Sequence, residues 1–160
     1  MRNELAIETA VQGAGAVLSF LGPKGKVSDT TLSDGVLRIV QAMEKHHVNR
    51  LVALGTRNIE VAEDGPDLRF FIMVTLLKLL AKGTYQEVIN MGKHIQHSKL
   101  DWTIVRVPWL TDAPATGKLH VGYFGQKQSL KHSREDMADF FSDQINDQAY
   151  IKKAPALSNA

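Results

Sequence analysis

The chain has 160 residues, 44% of them apolar and 22% charged, the balance of an ordinary globular protein with one core. Nineteen basic and seventeen acidic residues leave a net charge of +2 scattered in both signs, which gives no nucleic-acid surface. The absence of cysteine excludes disulfides and thiolate-ligated metals.

Met1 to Leu5 lacks the apolar stretch of a secretory signal, so a cytoplasmic location with no membrane partner is expected. Residues 3–12 carry Leu5, Ile7 and Val11 and stop at Gly13, which reads as a short opening helix. Ala16 to Leu21 is an apolar run ending at Gly22-Pro23, the punctuation expected after a buried strand. Residues 24–29 are a polar connection. A helix follows from Thr31 to His46, with Leu32, Val36, Ile39, Val40 and Met43 at helical spacing.

Arg50 to Leu54 is a second buried strand, broken at Gly55-Thr56-Arg57-Asn58. Strand, helix, strand makes a βαβ unit, parallel and right-handed. After the acidic loop Glu60 to Pro66, an apolar helix from Asp67 to Leu80 is expected, either in the core or at an interface. It is too short to span a membrane. A second helix from Tyr85 to Ser98 leads into a third, parallel strand, Trp102 to Val107, stopped by Pro108.

Lys118 to Tyr123 alternates like a half-exposed strand. Ser133 is an N-cap with Asp136 three residues on, a looser capping box. It opens a helix to Asn146 with Met137, Phe140, Phe141 and Ile145 on one face. Tyr150-Ile151 reads as a last short strand and Ser158 to Ala160 as a frayed end. No repeat or second domain is visible, so residues 1–160 are expected to form a single domain.

Several motifs favour their plainer reading. Gly13-Ala14-Gly15 precedes a strand instead of following one, unlike a dinucleotide fingerprint. Gly22-Pro23-Lys24-Gly25-Lys26 lacks phosphate-loop spacing, and Val27 stands where magnesium would need a hydroxyl. His94 and His97 have no third ligand beside them and read as helix surface; no metal site is expected. Tyr123 and Lys127 have the Tyr-x-x-x-Lys spacing of a proton shuttle, but Gly125 between them marks a turn that loses helical proximity.

Three segments carry a resemblance: Leu100-Asp101-Trp102-Thr103-Ile104-Val105-Arg106-Val107-Pro108, Val17 to Pro23 and Arg50 to Thr56. In that order and spacing, the chain resembles the atypical short-chain dehydrogenase/reductases, specifically their NmrA-like NAD(P)-binding branch. The resemblance implies an α/β fold, a Rossmann-type parallel sheet with flanking helices. It also implies an NAD(P) cofactor whose nicotinamide half lies among Leu21, Gly22, Pro23, Gly55, Thr56, Arg57, Arg106, Pro108, Trp109, Leu110 and Thr111. The expected partners are the dinucleotide and a small-molecule substrate.

The departures are informative. The family opens on a strand and a Gly-x-x-Gly-x-x-Gly loop that holds the pyrophosphate at a helix N-terminus, and the 160 residues contain no such loop. The expectation is a partial Rossmann sheet, truncated before its N-terminal glycine-rich βαβ half. Where catalytic relatives place Tyr and Lys four apart, the resemblance puts Thr84 and Val88, with Tyr85 and Ile89 one step over. No catalytic residue is assigned. The resemblance implies an NAD(P)H-dependent reductase or a redox-sensing regulator; the alternative is a non-catalytic interaction module or truncated remnant. In either case the strand at residues 16–21 becomes a sheet edge that invites pairing between copies.

Overall fold

The computed structural model describes residues 4–23, 31–107, 109–125 and 131–159, with the backbone alone for Arg69 and Phe70. The predicted polar connection at 24–29, Pro108 and Lys127 lie outside the described residues.

Helix α1 (Glu4–Val11) is closed by Gly13 at φ +79°, the left-handed conformation a glycine adopts without strain. Strand β1 (Ala16–Ser19) is followed by α2 (Thr31–Lys45), whose C-terminal end turns through His47 at φ +57°. Then come β2 (Arg50–Gly55), α3 (Leu68–Leu80), α4 (Lys82–Gln96) and β3 (Asp101–Arg106). The remainder comprises β4 (Leu110–Thr111), β5 (Leu119–Gly122), β6 (His132–Ser133), α5 (Arg134–Asp143) and β7 (Ala156–Asn159).

The main sheet has the order β1-β2-β3-β7-β5. β1, β2 and β3 pair in parallel, with Ala16 opposite Arg50 and Arg50 opposite Asp101; β5 runs antiparallel to β7. This is the expected α/β arrangement, and β1 is an edge among the described residues. Alternation along β2 and β3 explains the layers, since adjacent side chains point to opposite faces. Leu51, Ala53, Trp102 and Ile104 join α2 and α4 through Val36, Val40, Met43, Val88, Met91 and Ile95. Val52, Val105 and Val107 join α5 on the other face through Met137, Phe140 and Phe141.

Two buried polar groups lock these layers. The Glu87 carboxylate in α4 accepts the Leu32 and Ser33 N–H groups at 3.2 and 3.0 Å and the Ser33 hydroxyl at 3.0 Å, capping α2. Arg50 donates from Nε and Nη2 to the Gln144 carbonyl at 2.8 and 2.6 Å, tying β2 to the end of α5.

Four expectations need correction. Tyr150-Ile151 is a turn, and the last strand is β7, where Leu157 and Ser158 are buried. A single lattice of backbone bonds, Lys152 N–H to Trp102 O and Arg106 N–H to Pro155 O, leads the chain along β3 into it. Ser133 caps α5 by accepting the Glu135 N–H, but Asp136 does not complete a capping box. Its carboxylate instead accepts N–H groups of Thr116, Gly117 and Asn159. Ile145 lies beyond the end of α5 and is 39% exposed. The apolar helix α3 is not a core helix, since none of its described side chains is buried.

Candidate functional site

The parallel strands β1, β2 and β3 deliver their C-terminal loops to one end of the sheet, where ligands sit in open α/β folds. Two hollows meet there. One, of about 630 Å³, is lined by Leu21, Gly22, Pro23, Gly55, Thr56, Trp109 and Leu110 together with Leu54, Val88, Met91, Val107 and Arg134. The other, of about 460 Å³, shares Pro23, Thr56, Val88, Val107 and Trp109 with it. It adds Arg57, Asn58 and Thr84, with Met73, Leu76, Leu77 and Leu80 of α3 as a wall. The two form one continuous, mostly apolar cleft.

Most of the residues predicted for the site are therefore brought together. Two are not. Thr111 lines neither hollow; its hydroxyl faces the His132 carbonyl at 3.3 Å in the β4–β6 pair. Arg106 is fully buried behind the cleft. Its Nε donates to the Ala154 carbonyl at 2.7 Å and its Nη1 to the Ile59 carbonyl at 2.8 Å. Asp64 accepts from both terminal nitrogens. A guanidinium buried at the end of a parallel strand needs such a cage, because an unpaired buried charge is costly.

Asp64 is the centre of this cage, and in the sequence it belongs to no motif beyond an acidic loop. It also accepts Arg57 Nη1 at 2.7 Å and the Phe124 N–H at 3.1 Å. Both guanidiniums lie over the Phe124 ring, at 5.2 and 5.0 Å from its centroid. Gly65 donates its N–H to the Phe124 carbonyl at 2.7 Å. This close approach needs glycine at 125, where φ is +89° and an added Cβ would overlap the Gly65 backbone. The loop after β2 is thus fixed from below while its outer side faces the cleft.

The cleft's chemistry is sparse. Thr84 and Val88, four apart on one face of α4, line it. Among the described lining residues of the two hollows there is no lysine, tyrosine or histidine. Tyr123 lies outside the cleft, and burial foremost, then Glu63, pushes its hydroxyl pKa upward, the opposite of what a proton shuttle needs. His97 is exposed, with Nδ1 2.7 Å from the Lys93 carbonyl, and His94 is half-buried. No cluster of three or more potential metal ligands occurs among the described residues.

The residues present fit the nicotinamide half of a dinucleotide. Apolar walls suit a flat ring, Trp109 offers an exposed aromatic face, and the Thr56 and Thr84 hydroxyls are polar points on those walls. Arg57 Nε is buried with no hydrogen-bond acceptor among the described residues, beside the cleft. A family profile described as NAD(P)H-binding matches residues 1–148.

The chain belongs to the NAD(P)H-binding family. Solved structures agree on the architecture of this NAD(P)H-binding chain. The oxidoreductase ylbE from Lactococcus lactis superposes with a TM-score of 0.75 at 21% identity, over 99% of this chain and 68% of its own. A short-chain dehydrogenase/reductase from Veillonella parvula in complex with NADP gives 0.75 at 17% identity, over 99% and 69%. An anaerobilin reductase from Escherichia coli O157:H7 gives 0.69 at 20% identity, over 98% and 71%. At these identities the likeness establishes the Rossmann-type fold. Among the described residues no helix is long and apolar enough to cross a membrane.

Proposed function

We propose that the cleft holds the nicotinamide half of NAD(P) and that the protein is an NmrA-like dinucleotide binder, reporting cofactor occupancy instead of turning substrate over. The observation that carries this reading is the pair Thr84 and Val88 on the cleft wall. A reductase that protonates its product needs a donor of tuned pKa there, and a threonine hydroxyl beside a valine supplies none. The bound cofactor would supply hydride chemistry; the chain's own residues would bind and orient its ring. Thr56 and Arg57 provide polar contacts, and Val107, Trp109 and the α3 wall exclude water. Family membership and the NADP complex of the Veillonella relative support the choice of ligand.

The test is a calorimetric titration of the chain with NADPH and with reduced nicotinamide mononucleotide, followed by an assay of NADPH oxidation with carbonyl and quinone acceptors. Binding of both with similar affinity and no oxidation is expected, because the 160 residues contain no glycine-rich pyrophosphate loop. No binding at millimolar ligand overturns the assignment of the cleft; sustained oxidation overturns the non-catalytic role.

A second reading has one observation in its favour. β1 pairs only with β2 among the described residues, and Leu18 on it is 36% exposed. An open apolar strand edge suits an interaction module that captures a further strand.

A further inference from the structure

His132 is the one fully buried imidazole among the described residues, and neither Nδ1 nor Nε2 has a hydrogen-bond partner among them. A ring so placed is held neutral, because a buried imidazolium without an acceptor is costly. Its backbone meanwhile supports the cleft. The His132 N–H donates to the Trp109 carbonyl at 2.8 Å, and its carbonyl accepts the Thr111 hydroxyl at 3.3 Å. Leu110 lies opposite it in the β4–β6 pair. Trp109 and Leu110 are cleft wall, and Arg134, two residues beyond His132, lines the larger hollow as well. The β4–β6 pair has two rungs and stands apart from the main sheet, so it opens more easily than the sheet does.

The surroundings leave a second proton on the ring no place to go. β6 packs on β4, β7 and α5. Neither β4 nor β7 carries a titratable side chain, and Asp136 is the buried charge on α5. Of the other charged groups nearby, Lys131, Asp139 and Asp143 are exposed, Arg134 pairs with Asp112 and Glu135 accepts the Ala115 N–H. The Asp136 carboxylate is already filled by the Thr116 and Gly117 N–H groups, the Thr116 hydroxyl and the Asn159 amide. Asn159 Oδ1 accepts the Ser133 N–H at 2.7 Å. A protonated ring must break into these bonds or move out to water.

We infer that His132 is a proton-operated latch on the cleft: neutral, it stays buried and keeps Trp109 and Leu110 in place; protonated, it leaves the interior and opens the β4–β6 pair. Burial already pushes its pKa below the ordinary 6.5, with Asn159 and Asp136 opposing in part. The opened ring regains the ordinary value, so opening takes up a proton and becomes easier as pH falls below about 6.5. The cleft is complete at neutral pH and loses this wall in acid.

Amide exchange and NADPH binding, each measured at pH 7.5 and 5.5, test this, with circular dichroism to confirm that the sheet stays folded. The His132 amide should be less protected than that of Ile104 at both values. Its protection should fall roughly five- to tenfold in acid, the proton factor of an ordinary imidazole. NADPH affinity should fall by about threefold. In His132→Phe, or in His132→Leu should the first not fold, both changes should shrink below about twofold. The phosphates of NADPH titrate alike with either protein, so the comparison isolates His132. An amide at 132 that exchanges only with the whole sheet, or whose protection ignores pH, overturns the inference. So does a folded variant that keeps the full acid loss of affinity. The affinity arm rests on the cleft being a nicotinamide site and the exchange arm does not; absence of NADPH binding at pH 7.5 counts against that site, and exchange then decides the latch.

Discussion

Asp64 accepts both terminal nitrogens of Arg106, at 2.6 and 2.8 Å, and this one carboxylate joins the loop after β2 to the end of β3 beneath the cleft. Both side chains are almost wholly buried, at 5 and 0% exposure. Arg57 shares the same carboxylate, so two guanidiniums depend on Asp64 and the cluster is intolerant of losing it.

Asp64→Ala leaves the Arg106 guanidinium caged without its anion and should lower stability by about 3–5 kcal/mol. Urea denaturation measures this. Combining it with Arg106→Met, which removes the orphaned charge, should recover a large part of the loss. Equal damage in the double variant would show that the carbonyl contacts of Arg106, not its charge balance, hold the loop.

Gly125→Ala puts a Cβ into the Gly65 backbone and forces a non-glycine residue to φ +89°. A loss of about 2 kcal/mol or more is expected. Gly22→Ala, with open space around it, should be close to neutral by the same measurement.

Glu87→Ala removes the carboxylate that caps α2 and that accepts the buried Ser33 hydroxyl at 3.0 Å. A cost of about 1–2 kcal/mol is expected, with faster hydrogen exchange in the first turn of α2. Unchanged protection there would mean that packing alone sets the start of α2.

Acid should destabilise the protein in two stages. Burial pushes the His132 pKa below its ordinary value of 6.5, and Asn159 and Asp136 only partly oppose it. The unfolded chain then binds a proton the folded one refuses, so stability falls as pH drops below about 6.5 and until the folded pKa is reached. For Asp136, burial pushes upward, but hydrogen bonds from Thr116, Asn159 and Gly117 outweigh it and the pKa is lowered from 3.8. Its contribution is complete above the unfolded value and is lost as pH falls through the folded one. Urea midpoints between pH 8 and 3 should fall in both windows, and His132→Phe should flatten the upper one alone.

Trp109→Ala removes the exposed aromatic wall of the cleft and should weaken NADPH binding by about three- to tenfold. Reduced nicotinamide mononucleotide should lose the same factor. A loss confined to NADPH would place Trp109 against the adenine half instead.

The sheet's parallel core was legible because Leu51 to Leu54 and Trp102 to Val107 are apolar on both faces and are separated by helical periods. The loops of the cleft followed from the same strands. Arg106 misled, since a strand-end arginine looks the same in sequence whether it faces ligand or a buried carboxylate 42 residues away. Asp64 was hidden in an acidic loop for that reason. The last strand was read as fraying because Ser158 and Asn159 are poor strand formers locally. They are held by tertiary bonds, with Asn159 Oδ1 accepting the Ser133 N–H and its amide reaching Asp136. The α3 run was seen as apolar, but only its neighbours decide which side stays open.

β7 sits between β3 and β5 although it follows both in sequence. The parallel strands can assemble from pairs linked by single crossovers, but β5 has no place in the sheet until residues 156–159 arrive. Closing that loop late carries an entropic cost with no reward until it is complete. The sheet is thus built from one side during folding. Until β7 docks, the β3 edge and β5 both lack their strand partner, and an unpaired strand edge is open to pairing with another chain.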